Sequence, residues 1–522
     1  MAKACADVDR ICGETFQIMD MLAPTSKQQD QGAPWPMKPA IDIELSQETR
    51  QRIEILANKQ LRNFPRLNDT SIFGEHVSAG YEEGPLLLLE DHRGIELMPD
   101  DRVASHEYRM LALARDEDFL LISRPRIQSF EAYSREVFDR DGPHIIEVDR
   151  GDSRLRVPLA AACLNNEQAL SRLATATASA GTLNICPYLS TGHDWLLAAE
   201  IARRSGCPVQ ICAPLPQLSR LVNDKLWFAS HVKMVLGNDS VPPTYSVYGP
   251  AAAAAILSKL ARSHARLVIK LPASAGSMGN LVLESEYVRS LASRELRDEL
   301  LERLHAIGWR GRFPILIGVW EVAALASPSA QVWIPRAGQG VPMIEGIFGQ
   351  ILSGENQSFI GAAAIDLPQP LEARFYQEAL EISYYFQCLG FFGRMSLDAL
   401  LTGRDLNNAT LHWIECNGRW GGVSIPMTAA RNLPGIGSSA ELLVMQRVFR
   451  DSNIAGFETL LKNVSSWTYA SDKGKGAVFL EPTDDFQQNV TFFVVAPSQT
   501  AAQSIGTSVL QAVEPDAARS VQ

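Results

Sequence analysis

The segment "LHWIECNGRWGG" carries three polar residues at alternate positions, namely Glu415, Asn417 and Arg419. If this segment is a β-strand, successive side chains point to opposite faces, so these three share one face while Ile414 and Cys416 share the other. A carboxylate, an amide and a guanidinium cost free energy to bury unless each has a polar partner. This face therefore either contacts water or binds something charged.

An acidic residue on the preceding strand is expected to join this group. Two strands joined by a Gly-, Asp- and Asn-rich turn centred near Leu406 would set Asp398 roughly opposite Glu415. Side chains facing each other across such a pair lie about 5 Å apart at Cβ, so the two carboxylates would repel. Mg²⁺ binds carboxylate and amide oxygens, and Asp398, Glu415 and Asn417 form a candidate metal site. The alternative is a salt-bridged sheet face in which Arg419 neutralises Glu415.

A second candidate site lies in "IKLPASAGSMGN", where a Gly/Ser-rich loop follows the end of a strand. Glycines let backbone N–H groups approach an anion, hydroxyls add donors, and a lysine supplies positive charge for a phosphate. The candidate phosphate-binding residues are Lys270, Ser274, Gly276, Ser277 and Gly279. The loop is neither a Walker A motif nor a dinucleotide fingerprint. A surface turn of the same composition is the alternative.

The elements that must position these residues are predicted from apolar periodicity. In the first half, short apolar runs predict buried strands at 84–90, 118–125, 144–149, 182–188 and 208–212. Helices are predicted over 46–64, 192–206, 249–265, 293–308 and 371–390, with further strands over 266–270 and 314–322. The alternation of strands and helices predicts an α/β chain that begins with a mostly parallel, Rossmann-like layer and continues as α+β.

Composition excludes several classes of protein. The 522 residues carry a formal net charge of -11, and no basic patch typical of a nucleic-acid binder is present. The eight cysteines form no CxxC pair, so neither a zinc site nor a disulfide framework is expected. No apolar run approaches the roughly 18 residues of a membrane span. We expect a reduced, soluble, cytoplasmic protein.

The candidate residues follow one order along the chain: Lys225 in "NDKLWF", Lys270 and its loop to Gly279, a strand ending at Glu321, Asp398, and Glu-x-Asn-x-Arg at 415–419. This order resembles the ATP-grasp ligases over about residues 183–480. The stretches "LNICPYLSTGHDWLLAAEIARRSGCPV", "VNDKLWFASHV" and "FGQILSGENQSFIGAAA" are similar to the peptide-ligase branch that carries a pre-ATP-grasp domain, of which the pheganomycin ligase is an example. Two departures are that "WEVAALASPSA" lacks the usual acidic pair of the hinge and that the loop has alanines where glycines are common.

The resemblance implies an ATP-grasp fold, in which two lobes clasp ATP after a Rossmann-like pre-ATP-grasp domain. The implied divisions are an N-terminal extension (1–80), the pre-ATP-grasp domain (81–220), a small lobe with the Gly/Ser loop (221–325), a large lobe with the metal site (326–485), and a C-terminal strand and tail (486–522).

The resemblance also implies a role for each candidate residue. Lys225 and Lys270 would contact ATP from the two lobes, the loop from Ser274 to Gly279 would cover the β- and γ-phosphates, and Glu321 would belong to the adenine hinge. The implied metal ligands for one or two Mg²⁺ ions, or Mn²⁺ instead, are Asp398, Glu415 and Asn417. Arg419, with Lys270, would stabilise charge on the transferring phosphoryl group and on the tetrahedral intermediate.

The implied reaction joins a small amino-acid-like carboxylate substrate to an amine through an acylphosphate, with release of ADP and phosphate. Two alternatives remain open: an enzyme that passes the acylphosphate to a thiol or other nucleophile, and a non-catalytic nucleotide-binding regulatory protein. The expected partners are small molecules, with neither nucleic acid nor membrane. A homodimer is a further expectation, because most soluble oligomers are symmetric homo-oligomers.

Overall fold

Helix α1 (Gln47–Asn63) is the first helix that the structure, a computed structural model, describes. The described residues are 41, 43–95, 106–151, 157–272, 279–321, 324–354, 358–448, 456–483 and 489–513. The Ser46 hydroxyl accepts a hydrogen bond of 3.1 Å from the backbone N–H of Thr49, which caps the helix where the sequence predicts its start. Ile53 and Ala57 on its inner face are buried.

A parallel sheet of six strands follows. The strands are β1 (Val77–Ala79), β2 (Leu86–Leu89), β3 (Phe119–Ile122), β4 (His144–Glu147), β5 (Leu183–Pro187) and β6 (Val209–Ile211). Their order is β1-β6-β5-β2-β3-β4, and every pair is parallel. The helices of this unit are α2 (Gln128–Phe138), α3 (Leu159–Leu164), α4 (Glu167–Ala180) and α5 (Gly192–Ser205). The predicted parallel layer is confirmed.

Two helices lead out of this unit to a smaller antiparallel sheet. They are α6 (Pro216–Val222) and α7 (Lys225–Leu236). The sheet contains β7 (Thr244–Val247), β8 (Arg266–Lys270), β9 (Asn280–Glu284) and β10 (Ile315–Val319), in the order β7-β10-β8-β9. It packs with α8 (Pro250–Leu260), α9 (Ser285–Ser290) and α10 (Ser293–Ala306) around one apolar core.

A large antiparallel sheet holds the remaining described strands. They are β11 (Ala324–Ala326), β12 (Pro328–Ile334), β13 (Met343–Ser353), β14 (Ser358–Ala364), β15 (Gly393–Thr402), β16 (Thr410–Asn417), β17 (Glu441–Val448), β18 (Gly476–Phe479) and β19 (Asn489–Ala496). Their order is β11-β15-β12-β13-β14-β17-β19-β18, with β16 paired to β15. The associated helices are α11 (Gln369–Cys388), α12 (Ser424–Arg431), α13 (Phe457–Val464) and α14 (Gln499–Val513).

One face of the large sheet is apolar and carries the core that positions the hairpin of β15 and β16. Helices α1, α7 and α11 pack together over this face, where Ile53, Phe228 and Phe375 are fully buried beside Trp413. Short 3-10 turns complete the described structure at Pro65–Leu67, Ser71–Phe73, Arg109–Leu113, Asn238–Ser240 and Leu406–Asn408. Among the described helices, none is both long and apolar enough to cross a membrane.

The observed elements differ from the expected domain limits at two places. The limit after residue 80 falls just behind β1, which pairs with β6 in the parallel sheet, and α1 of the expected extension packs on α11. The expected C-terminal strand is β19, but it is followed by the helix α14 over 499–513. The domain divisions stay a proposal.

Candidate active site

The hairpin of β15 and β16 brings the first candidate residues together. The two strands are antiparallel, and Asp398 stands opposite Glu415 while Ser396 stands opposite Asn417. The expected pairing of the two carboxylates is therefore confirmed.

A β-bulge decides which side chains of β16 reach this face. The core-facing residues Leu411, Trp413 and Cys416 pair with Leu401, Ala399 and Leu397, so their spacing changes from two residues to three at the bulge. The extra residue is Ile414, because Trp413 pairs with Ala399 and Glu415 pairs with Asp398. The prediction that Ile414 and Cys416 share a face was wrong, since it assumed strict alternation. Without the bulge, Glu415 would point into the core beside Trp413.

Arg419 lies beyond the end of β16 and reaches the site by another route. Its backbone N–H donates a hydrogen bond of 2.8 Å to the carbonyl of Asn417, which turns the chain directly after the strand. Alternation along a strand therefore does not orient Arg419, contrary to the prediction. The guanidinium Nη1 instead donates to the side-chain oxygen of Asn223 at 2.5 Å.

Asp398 accepts hydrogen bonds, but its burial and the facing Glu415 disfavour its charge. The Ser329 hydroxyl donates to Oδ1 at 2.7 Å, and the Asn417 amide donates to Oδ2 at 3.0 Å. Burial first, and the charge of Glu415 second, raise the pKa of Asp398 above its ordinary value, although the hydrogen bonds oppose this shift. Two carboxylates placed this closely cannot both ionise easily without a cation.

Glu415 is instead surrounded by positive charge. Lys225, at the start of α7, places its Nζ 3.0 Å from Oε2 of Glu415. Burial works against ionisation, but the charge and hydrogen bond of Lys225, followed by the charges of Lys270 and Arg419, hold the pKa of Glu415 below its usual range. Glu415 is thus the ionised member of the carboxylate pair.

Lys270 approaches the same carboxylate from the small sheet. It ends β8, and burial first, with the charge of Lys225, lowers its pKa to about 8 even though Glu415 opposes the shift. The backbone N–H of Lys225 donates to the carbonyl of Pro272 at 3.2 Å, which ties the chain after β8 to the start of α7. Both lysines line a small cavity between β8 and β16, together with Val268 and Ile414.

The other predicted residues are placed less centrally or cannot be placed. Ser274, Gly276 and Ser277 lie outside the described residues. The Gly279 carbonyl accepts from the Leu271 N–H at 2.9 Å, so the two described ends of the Gly/Ser loop meet. Glu321 follows β10 and lies beside β16, with its Oε1 3.7 Å from Nδ1 of His412, rather than among the residues lining the small cavity.

Sequence reasoning missed Asn223, which lies between α6 and α7 and fastens the turn after β16. Its side-chain oxygen accepts from the Gly418 N–H at 3.1 Å as well as from Arg419, and its amide donates to the Ser219 carbonyl at 2.7 Å. Gly418 must be a glycine, because an added Cβ would stand 2.4 Å from a methyl group of Val222. The only sequence signal was the position of Asn223 two residues before Lys225.

The donors present fit a hard divalent cation. Asp398, Glu415 and Asn417 supply two carboxylates and an amide from two paired strands, which is the oxygen-rich set that Mg²⁺ binds while keeping several waters. Within the described part of the chain, no group of three or more His, Cys, Asp or Glu residues could hold a metal. A cation here would therefore need oxygen ligands from water or phosphate, and this is typical of Mg²⁺ bound with a nucleotide.

Comparison with known proteins identifies the fold. Residues 107–203 match the pre-ATP-grasp domain family. The biotin carboxylase–βγ-ATP complex from Campylobacter jejuni is similar in structure, with a TM-score of 0.50 and 14% sequence identity over 81% of this chain and 90% of that chain. N5-carboxyaminoimidazole synthase from Aspergillus clavatus, in complex with ADP and 5-aminoimidazole ribonucleotide, gives a TM-score of 0.47 and 12% identity over 83% and 99% of the two chains.

No curated protein matches the sequence. At 14% identity the similarity to biotin carboxylase shows the fold alone. The predicted fold is confirmed: the chain carries a pre-ATP-grasp domain and an ATP-grasp fold.

Proposed function

We propose that this protein is an ATP- and Mg²⁺-dependent carboxylate–amine ligase that forms an amide or peptide bond on small amino-acid-like substrates. The observation that carries the proposal is the convergence of Lys225, Lys270 and Arg419 on the carboxylate pair Asp398 and Glu415. Cations from separate elements around two facing carboxylates suit a triphosphate with a divalent ion, because the phosphates need positive charge and the carboxylates need a metal.

The roles of the nucleotide-binding residues follow from this arrangement. Lys225 and Lys270 would bind phosphate oxygens, and the loop carrying Ser274, Gly276, Ser277 and Gly279 would cover them. Glu321 stays a proposed hinge residue. The fold supports these roles, since the biotin carboxylase with the same fold was crystallised as a βγ-ATP complex.

Asp398, Glu415 and Asn417 would hold the Mg²⁺. When bound, this ion supplies charge neutralisation and alignment for the phosphates. It would also relieve the repulsion between Asp398 and Glu415 that disfavours the charge on Asp398.

The chemistry proceeds in two balanced steps. An oxygen of the substrate carboxylate attacks the γ-phosphorus of ATP, the bond to the β-phosphate oxygen breaks, and ADP leaves. The amine nitrogen of the second substrate then attacks the acyl carbon, inorganic phosphate leaves, and the nitrogen loses a proton. Arg419, held by Asn223, would stabilise negative charge in both steps. A site closed to water is needed, because water also hydrolyses an acylphosphate.

The proposal is tested by phosphate release with a panel of amino acids, ATP and Mg²⁺, followed by mass spectrometry of the products. We expect an amide product whose mass is the sum of both substrates minus water. The variant Glu415→Gln, which keeps the shape but removes the charge, should lower ATP turnover at least about 100-fold. Removal of Mg²⁺ by a chelator should abolish it.

The control for Glu415→Gln is Glu286→Gln, which changes an exposed glutamate of α9 and should leave turnover unchanged. The Tm of both variants checks that they fold. Wild-type rates in Glu415→Gln would remove Glu415 from the site. Binding of ADP without turnover on any substrate pair would favour a non-catalytic nucleotide-binding protein, and transfer to added thiols would favour the other alternative.

A further inference from the structure

A second, larger cavity lies next to the carboxylate pair and shares Lys225 with the small cavity. Its volume is about 290 Å³. It is lined by the chain after β2 at Ile95, the start of α5 at Gly192, helix α6 at Arg220, and the end of β16 with Arg419. Small-molecule sites commonly begin near about 300 Å³, so this cavity suits a molecule the size of an amino acid.

The described lining of this cavity carries more positive than negative charge. Three cations, Arg220, Lys225 and Arg419, face one carboxylate, Glu415. Lys225 already pairs with Glu415 at 3.0 Å. Among the described residues, neither guanidinium group makes an ion pair with a carboxylate within 4 Å. Guanidinium groups bind carboxylate or phosphate through charge-assisted hydrogen bonds, so this excess charge favours an anionic ligand.

The two arginines differ in depth and in what holds them. Arg419 is partly buried and donates through Nη1 to Asn223, while its buried Nε has no hydrogen-bond partner. Its charge reaches Asp398 and Glu415, because it lowers the pKa of both. Arg220 is exposed on α6 and makes no ion pair or hydrogen bond in the part of the chain that the structure describes.

The start of α5 adds little to this preference. Its first-turn N–H groups would attract an anion, but the buried carboxylate of Asp194 already accepts from the backbone N–H of Thr191 at 2.7 Å in a capping box. The preference for an anion must therefore come from the exposed Arg220 and the partly buried Arg419, which line the same cavity.

We propose that this cavity binds a substrate with two separate anionic groups: the carboxylate that reacts, at Arg419, and a second carboxylate or phosphate that does not react, at Arg220. The assignment of the reacting group rests on the proposed ligase function. The assignment of the second group rests on the charge of the cavity and stands independently of catalysis. An acidic amino acid or a phosphorylated amino acid has this chemistry and this size.

The test is calorimetric binding of matched pairs to the full-length protein with Mg²⁺ and a non-hydrolysable ATP analogue. The pairs are L-glutamate with L-glutamine, L-aspartate with L-asparagine, and O-phospho-L-serine with L-serine. The two members of a pair differ chiefly in the second charge. We expect the acidic member of at least one pair to bind at least tenfold more tightly than the neutral member. A preference for L-glutamate or L-aspartate would identify the second group as a carboxylate, and a preference for O-phospho-L-serine would identify it as a phosphate.

The variant Arg220→Gln should remove this preference while changing binding of the neutral member less than twofold. The control Arg294→Gln alters an exposed arginine of α10, remote from this cavity's lining, and should keep the preference. Equal binding within all three pairs, no binding by any acid at millimolar concentration, or an unchanged preference in Arg220→Gln would overturn the inference. Ligase turnover with neutral substrates would then still support the proposed function, whereas acid-selective binding without any turnover would contradict only that function.

Discussion

At the scale of single residues, the site is a set of charges whose ionisation depends on close neighbours. Lys225, at 3.0 Å, keeps Glu415 ionised. Burial and the charge of Glu415 disfavour the ionised form of the facing Asp398. Burial and the charge of Lys225 disfavour the protonated form of Lys270. Shifted pKa values of this kind cluster at functional sites. A bound ligand of opposite charge stabilises the charged form that the empty site disfavours.

Lys270 should therefore impose a basic limit on activity. Its pKa of about 8 means that the free protein loses this positive charge as the pH rises through 8, and with it affinity for the ATP phosphates. We expect kcat/KM for ATP to fall about tenfold per pH unit above this value, since that quantity reports groups of the free enzyme. Steady-state kinetics between about pH 6.5 and 9.5 measure the fall in kcat/KM.

Lys270→Arg supplies the matched variant, because a guanidinium stays charged throughout the range. We expect its profile to lose the basic limit, whatever its absolute rate. Lys259→Arg, on the exposed face of α8, should keep the wild-type profile. A basic limit that persists in Lys270→Arg would assign the titration to another group.

At the scale of elements, the site depends on a bulge and on a helix that supports the sheet from behind. The bulge at Ile414 allows Trp413 to enter the core and Glu415 to face the cleft. Helix α1 covers the core under the hairpin: Arg52 bonds to Glu381 of α11 at 2.7 Å and to the Val235 carbonyl of α7 at 2.6 Å. Residues far before the site in the sequence therefore stabilise the packing beneath the hairpin.

The contribution of α1 can be measured at two isoleucines of the same helix. Ile53 is fully buried in the core, whereas Ile55 is 66% exposed. We expect Ile53→Ala to lower the free energy of unfolding by about 2–5 kcal/mol, because it leaves a cavity in the core. Ile55→Ala should change it by less than about 0.5 kcal/mol. Urea denaturation followed by fluorescence measures both, and equal effects would show that α1 does not support the core.

At the scale of the whole molecule, the parallel sheet unit and the large sheet are joined by a buried polar and aromatic interface. His106 bonds to Glu481, just after β18, at 2.5 Å, and the Tyr133 hydroxyl of α2 accepts from the Phe479 N–H at 3.0 Å. Phe457 packs edge-on against Phe130 and Tyr133. The cavity proposed for the anionic substrate is lined by Leu189 of the parallel sheet unit and by Glu415 of the large sheet, so its shape depends on both units.

A buried histidine at this interface should make the protein sensitive to acid. His92 is fully enclosed near Glu90, Arg109 and His106, and burial first lowers its pKa to about 4, although Glu90 opposes the shift. The unfolded chain binds a proton at His92 near pH 6.5, whereas the folded protein does not until about pH 4. The free energy of unfolding should thus fall as the pH drops across this interval, by up to about 3 kcal/mol.

Urea unfolding at pH 7, 6 and 5 measures this dependence. His92→Gln retains a donor for Glu90 but cannot titrate, so its stability should change less with pH than that of the wild type. His193→Gln alters an exposed histidine of α5 and should leave the dependence unchanged. Burial works against the charge of Glu90 as well, but Arg109 and His92 lower its pKa to about 2, so Glu90 adds a loss of the same sign only below pH 4.5. Identical slopes in wild type and His92→Gln would contradict the prediction.

Local patterns were sufficient for much of this protein. Apolar runs such as Leu86–Leu89 became strands, Ser46 capped α1, and a turn near Leu406 set Asp398 opposite Glu415. These features depend on neighbours within a few residues along the chain or across one hairpin, and short-range periodicity and turn chemistry record such contacts directly.

Only the tertiary structure decided the rest. The extra residue Ile414 reverses the facing of Glu415, and the clamp of Asn223 on Arg419 joins residues 196 apart. Arg220 enters the larger cavity only when α6 packs against the end of β16. The physical reason is that a bulge, a long-range hydrogen bond and a shared cavity arise from the packing of distant segments, whose mutual placement no local pattern of polar and apolar residues specifies.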